Sequence, residues 1–273
     1  MPDRGHRSRT GRIFQFARVV FSSGWGEGAL RLLHFLFGLI AYLMFNGVFV
    51  YFAGFLVNIG VPKGIDTPLS DFSLWQAALV DGLWLALFAL HHSIAPRMFF
   101  KRLLLRWLPA HLERSVYVLV SSLLLALVMA AWQPIPGEVW RFDGGAPRMA
   151  LLALFAVGTV LPLLASFQID HYDLFGMRQV RCYWLQRPYV SPTFGEKGLY
   201  RVVRHPIMLG TMIVLWATPL MTWGHLLWAA FLTAYIFIGI HFEERDLCAT
   251  LGSPYIDYQK RIPMIIPLLR PPR

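Results

Sequence analysis

Charge is scarce in this sequence: Asp, Glu, Lys and Arg make up 15% of 273 residues while 56% are hydrophobic. So little polarity excludes an ordinary water-soluble surface and fits one that faces lipid. Cysteine is nearly missing. Cys182 and Cys248 give no disulfide framework, and both fall in segments expected on the reducing side of the membrane. Residues 1–20 carry Arg4, Arg7, Arg9, Arg12 and Arg18 but lack a small-residue cleavage site after a short apolar core. The expectation is therefore that no signal peptide is removed and that the first apolar segment remains as an anchor. There is no internal repeat and no low-complexity tract. Acidic residues number 15 against 25 basic ones, a net charge of +10. The basic residues flank apolar runs and do not form a separate domain, so the expected counter-charge is membrane lipid and not nucleic acid. No obligate protein partner is evident.

What the chain does have is long apolar runs, at about 31–57, 74–94, 115–132, 149–168, 206–222 and 225–242. They predict an all-α, polytopic transmembrane helical bundle of about five to six spans, closed by a C-terminal helical hairpin. The loops alternate in character. Residues 95–114 and 169–205 are rich in Lys and Arg, whereas 58–73 holds one lysine and 133–148 holds two arginines offset by Glu138 and Asp143. That asymmetry puts both termini and the two basic loops in the cytoplasm. Three regions follow: a basic N-terminal segment (1–30), four helices (31–168), and a region with the hairpin (169–273). Pro134 and Pro136 close the third segment, Pro62 and Pro68 stiffen the first outer turn, and Pro271-Pro272 end the chain.

Two polar signatures bracket the hairpin: Tyr200-Arg201-Val202-Val203-Arg204-His205-Pro206 before it and His241-Phe242-Glu243-Glu244-Arg245-Asp246 after it. A helix that crosses and one that returns bring both to one membrane face, at the mouth of an apolar region. Proline at a first helical position leaves a helix start whose free N–H groups favour an anion, with Arg204 and His205 adding charge. Adjacent carboxylates at a membrane helix end need a partner, either ligand hydroxyls and a cation or simply Arg204 or Arg245. His241, Glu244 and Cys248 share a helical face. No histidine pair on the other limb completes a metal set, so no metal is expected. His91 and His92 diverge by about 100° on a helix, which leaves one working histidine. Asp81, buried at roughly 2.5–3.5 kcal/mol on insertion scales, needs a partner, for which His34 and Asn46 are candidates. Between residues 169 and 205 an aromatic-rich stretch carries Asp170-His171-Tyr172-Asp173, which suits an interfacial lid.

The C-terminal pattern of Gly198-Leu199-Tyr200, Arg204-His205-Pro206, Glu243-Glu244, Leu247, Gly252, Tyr255, Tyr258 and Ile262-Pro263 resembles the isoprenylcysteine carboxyl methyltransferase-like membrane enzymes. His92-Ser93 before Arg97, Glu113-Arg114-Ser115, Trp132-Gln133-Pro134, Asp170 to Gly176 and Gly224-His225-Leu226 look like one branch of it, the bacterial methanethiol S-methyltransferases. The resemblance covers nearly everything after residue 30. It implies S-adenosyl-L-methionine as methyl donor, held by the loop with Thr193, Phe194 and Tyr200, by Arg204-His205-Pro206-Ile207-Met208, and by Glu243 and Glu244. It also implies a small thiol acceptor, most simply methanethiol giving dimethyl sulfide, in a bacterial inner membrane with the site facing the cytoplasm. A thiol must be ionised to attack, and the candidates for that task are His171 oriented by Asp170, with His92 as the competing base. Two departures stand out. Met208 replaces the family's usual tyrosine, and Gly239 occupies the place of an arginine that grips a carboxylate acceptor in prenylcysteine relatives. Alternatives are methylation of a lipidic carboxylate or phenol, and a non-catalytic haem- or metal-binding membrane protein.

Overall fold

In the computed structural model, which describes residues 24–68 and 72–267, the apolar runs are helices. The elements in chain order are α1 (Gly24–Val57), α2 (Leu74–Ile94), α3 (Met98–Leu104), α4 (Glu113–Ala131), β1 (Glu138–Arg141), α5 (Gly145–Ile169), α6 (His171–Leu174), α7 (Met177–Trp184), α8 (Pro206–Trp216), β2 (Leu220–Thr222), α9 (Trp223–Leu251) and α10 (Ser253–Arg261). Single 3-10 turns occupy Ala110–Leu112 and Gly198–Arg201. The arginines at positions 4 to 18 and Pro271-Pro272 lie outside the described residues.

Local chemistry sets the helix ends. Ser73 and Gln76 form a capping box that starts α2, and the Thr222 hydroxyl accepts the His225 N–H to start α9. α9 stops at Gly252, whose φ of 67° is natural only for glycine. Among the described residues five helices are long and apolar enough to cross a membrane, and the chain is a multi-pass membrane protein.

The hairpin differs in one limb from the expectation. The run 206–222 is not one helix: α8 ends at Trp216, the chain turns at Ala217, where the Thr218 N–H bonds the Trp216 carbonyl, and passes through Pro219 into β2. Pro219 is the physical reason, since it has no N–H for a helix and disfavours the α conformation at Thr218. Eleven helical residues rise about 16 Å, and the turn and β2 carry the limb on to the face where α4 ends and α5 begins. There β2 pairs antiparallel with β1, Trp140 opposite Met221 and Arg141 opposite Leu220. α9 then returns, running nine residues past the expected end at 242.

Packing joins α1 to α4, α4 to α2, α2 to α9, α9 to α8 and α8 back to α1 in a closed ring, with α5 lying against α8 on the outside. The largest fully buried side chains, among them Trp132, Trp228, Phe55, Leu85, Leu215 and Met221, fill that ring in the half beside β1 and β2. Trp132 and Trp228 meet edge to face at 4.8 Å. The other half ends on the face where α2, α5 and α9 finish and α4 and α8 begin, called here the site face.

Asp81 belongs to the filled half. Its partners are neither His34 nor Asn46: Oδ1 accepts the Gln133 backbone N–H at 2.8 Å, and Lys63 is its neighbouring cation. Lys63 also donates to the Ala130 and Trp132 carbonyls at 2.6 and 2.8 Å, closing the end of α4. His34 instead meets His111 at 2.8 Å, and Asn46 donates to the Tyr42 carbonyl. Removing this carboxylate by Asp81→Ala leaves a buried N–H without its acceptor. A loss of about 1–3 kcal/mol is expected, read as a lower denaturant midpoint in detergent.

Candidate functional site

The site is built from the chain ends of the hairpin. Before α8, the turn at Gly198–Arg201 is seated on α5: the Leu199 N–H donates to Gln168 Oε1 at 2.7 Å. A Cβ on Gly198, where φ is 48°, would meet that same amide at 2.4 Å. The next residues run beside the segment after α10, with Arg204 N to Pro263 O at 2.9 Å and His205 N to Met264 O at 3.0 Å. This fixes Arg204 and His205 against the last turns of α9.

There the two polar signatures meet. The Arg204 guanidinium grips Glu244 with two donors, at 2.6 and 3.2 Å, and donates to the Gln259 and Ile262 carbonyls with a third nitrogen. His205 Nε2 lies 3.0 Å from Glu244 Oε1, and Gln259 donates to Oε2 at 2.9 Å. The ion pair is sequestered, with side-chain exposures of 9% for Arg204 and 14% for Glu244. Arg204 is thus committed to protein partners and not left over for an external anion.

What remains open is a smaller set. Glu243 is half exposed, 3.7 Å from His205 Nδ1. The Ile207 and Met208 N–H groups precede the first helical bond of α8, from Leu209 N to His205 O. Burial, followed by the Glu243 charge, pushes the Tyr200 phenol up and keeps it a hydrogen-bond donor. Phe194 packs its edge on Tyr255 and Tyr258 at 5.8 and 5.4 Å, while Thr193 is exposed. A carboxylate, a helix start, a phenol and an aromatic wall therefore converge, a combination able to hold a ligand with hydroxyls, positive charge and a flat ring.

His171 and Asp170 are brought close in the chain but not into one device. The Asp170 side chain caps α6 by accepting the Asp173 N–H at 3.0 Å and pairs with Arg178. The His171 ring is oriented by Ser166, 2.7 Å from Nδ1, and by Tyr42, 2.9 Å from Nε2. Since the Ser166 hydrogen goes to the Leu163 carbonyl, Nδ1 donates to Ser166, and in the neutral ring Nε2 accepts from the Tyr42 hydroxyl. Burial pushes the His171 pKa below its ordinary value of 6.5, with Asp170 pulling the other way. The unfolded chain then binds the proton more readily, so the stabilisation is complete above pH 6.5 and is lost as pH falls below it. Melts at pH 7.5 and 5.5 should show wild type losing more stability than His171→Gln, by no more than about 1.4 kcal/mol per pH unit.

His92 lies elsewhere, between α2, α4 and α9. Its Nδ1 is 2.9 Å from the Tyr117 hydroxyl and its ring faces Phe88. Next to it Ser93 bonds Tyr235 of α9 at 3.0 Å, and Arg97 pairs with Asp246 farther along the same helix. Going up α9 from Tyr235 to Glu243, the midpoint is Gly239, and beyond its own helix backbone nothing stands within 4 Å of where its Cβ would be. Cys248 points to Gln259 and Glu244 to Arg204. Among the described residues no group of three His, Cys, Asp or Glu side chains could hold a metal.

Sequence reasoning missed Gln259 and Tyr42. The signal for Tyr42 was a phenol inside an apolar run. Gln259 had none beyond its place next to Tyr258.

No protein-family model and no solved structure matches the chain. Among curated proteins it is 44% identical to a methanethiol S-methyltransferase of a Pseudomonas species, over 95% of both chains. It is 42% identical to the enzyme of that name from Mycobacterium tuberculosis, over 87% of this chain and 97% of the other. A third, methanethiol S-methyltransferase 2 of Bradyrhizobium diazoefficiens, is 43% identical over 88% of this chain and 92% of its own. At this identity over most of both chains, the chain belongs to the methanethiol S-methyltransferase family.

Proposed function

We propose that this protein is an S-adenosyl-L-methionine-dependent methyltransferase that converts methanethiol to dimethyl sulfide in a bacterial inner membrane, its site face toward the cytoplasm. The observation that carries the reading is the junction of Arg204, His205, Glu243 and Glu244 at the start of α8. Its partition into a buried clamp and an open carboxylate is what a charged donor needs. The names of the relatives supply the acceptor. Lys and Arg gathered on the site-face loops support the orientation.

The donor supplies a methyl group on a positively charged sulfur. Glu243 and the Tyr200 hydroxyl are the groups suited to its hydroxyls or cation, and the Ile207 and Met208 N–H groups to its carboxylate. The Arg204–Glu244 clamp fixes these positions relative to one another, and such alignment can supply roughly 7–11 kcal/mol of the barrier. We place the thiol beside Gly239, between Tyr235 and Glu243, where an added Cβ would meet nothing within 4 Å outside its own helix backbone. His92 is the group we assign to take its proton, because free thiols ionise only around pH 8.5. Both ring nitrogens of His171 are already engaged, by Ser166 and by Tyr42, so it would act only through Tyr42.

The test is direct. Detergent-purified protein is incubated with the donor and a panel of thiols, and the headspace is assayed for methylated sulfides. Dimethyl sulfide from methanethiol is the expected product. No sulfide from any thiol, together with methylation of a lipidic carboxylate, would overturn the assignment.

A further inference from the structure

We propose that the groove between α1 and α7, on the site face but outside the hairpin, is a binding site for the headgroup of one anionic phospholipid. The groove is a cavity of about 460 Å³, within the range of small-ligand sites. Phe35, Met177 and Leu185 give it an apolar floor, and Arg178, Arg181 and Arg187 line its rim.

The walls are fixed. A Cβ on Gly38 would stand 2.6 Å from the Val180 side chain, so α7 lies in direct contact with α1. Trp184 stacks on Phe35 at 4.6 Å. A Cβ on Gly176, where φ is 85°, would stand 2.8 Å from the Ser115 nitrogen, which seats the turn before α7 on α4.

The charge of the rim is unbalanced. Arg178 is paired with Asp170. Arg181 and Arg187 are exposed, and among the described residues their side chains make no hydrogen bond or ion pair. Three guanidinium groups against one carboxylate leave the groove at +2. Guanidinium forks match phosphate oxygens in geometry as well as charge.

The occupant follows from where the groove opens. Leu36, Ile40 and Leu43 on α1 are all exposed, at helical spacing, and form an apolar track leading from the groove toward the middle of the membrane. A phosphate with acyl chains can satisfy the rim and the track together. The chain's own N-terminal segment is a poor alternative, because residues 1–23 carry five arginines and one aspartate. This site does not depend on the proposed methyl transfer.

The experiment uses the full-length protein in detergent, titrated with phosphatidylglycerol or phosphatidylcholine, with retained lipid counted by native mass spectrometry and melting followed in parallel. Wild type is expected to keep one phosphatidylglycerol per chain, with a preference of roughly tenfold or more over phosphatidylcholine. Arg181→Gln with Arg187→Gln should bring that preference close to parity at unchanged melting in lipid-free detergent. The corresponding double lysine variant should keep most of it, and Arg102→Gln with Arg106→Gln all of it. The proposal is overturned if the double glutamine variant still prefers phosphatidylglycerol, if the 102/106 variant loses the preference equally, or if inorganic phosphate displaces the lipid.

Discussion

Glu244→Ala should destabilise the protein by about 3–5 kcal/mol, because it strands the Arg204 guanidinium in a nearly closed site. His205 and Gln259 lose their acceptor in the same step. Glu243→Gln should do something different. That side chain is half exposed and lies 3.7 Å from the His205 ring. Its stability effect should stay within about 0.5 kcal/mol, while affinity for the donor falls by roughly tenfold or more, the loss of one charge-assisted contact. Thermal melts and titration calorimetry on the two variants separate clamp from ligand. Equal melting of Glu244→Ala and wild type would mean that the ion pair is not sequestered. Unchanged donor affinity in Glu243→Gln would remove the proposed donor site.

A second large effect is expected at the seam that holds α8 in place. A Cβ on Gly210 would stand 2.5 Å from the Pro162 ring and 2.9 Å from the Gly158 carbonyl, and one on Gly158 would stand 2.7 Å from Ile213. Neither a proline ring nor a backbone carbonyl can swing aside. Gly210→Val should therefore push α8 away from α5, costing about 1–3 kcal/mol. It should also weaken donor binding, since the N–H groups of Ile207 and Met208 move with the helix. Gly82→Ala in α2 is the control: nothing stands within 4 Å of its Cβ, so improved helix propensity should stabilise by up to about 1 kcal/mol. Opposite signs for these two glycines, measured in one detergent, would locate the strain in the α5–α8 contact.

The parts of this molecule legible in its sequence are those set by local periodicity and by the membrane itself. An apolar run of about twenty residues has few options in lipid, so the helices and the meeting of residues 204 and 244 followed from counting. Hydropathy counts side chains and not backbone conformations. It therefore took 206–222 as uniform, although Pro219 inside that run announced the break in the helix. Partners were harder than places. Asp81 found a backbone N–H and a loop lysine, and Asp170 turned to Arg178, because electrostatic pairing is decided by tertiary neighbours that no spacing rule reports. Gln259 is the clearest case: it buttresses Glu244 from α10, fifteen residues away in the chain, through a contact that exists only once α10 folds back on α9.

The packed indoles of Trp132 and Trp228 have a bioenergetic meaning. They fill the end of the helix ring away from the polar cluster, and an apolar plug of that kind opposes the passage of ions. In a membrane that carries a gradient, such a plug would let the polar cluster stay wet on one side without a leak.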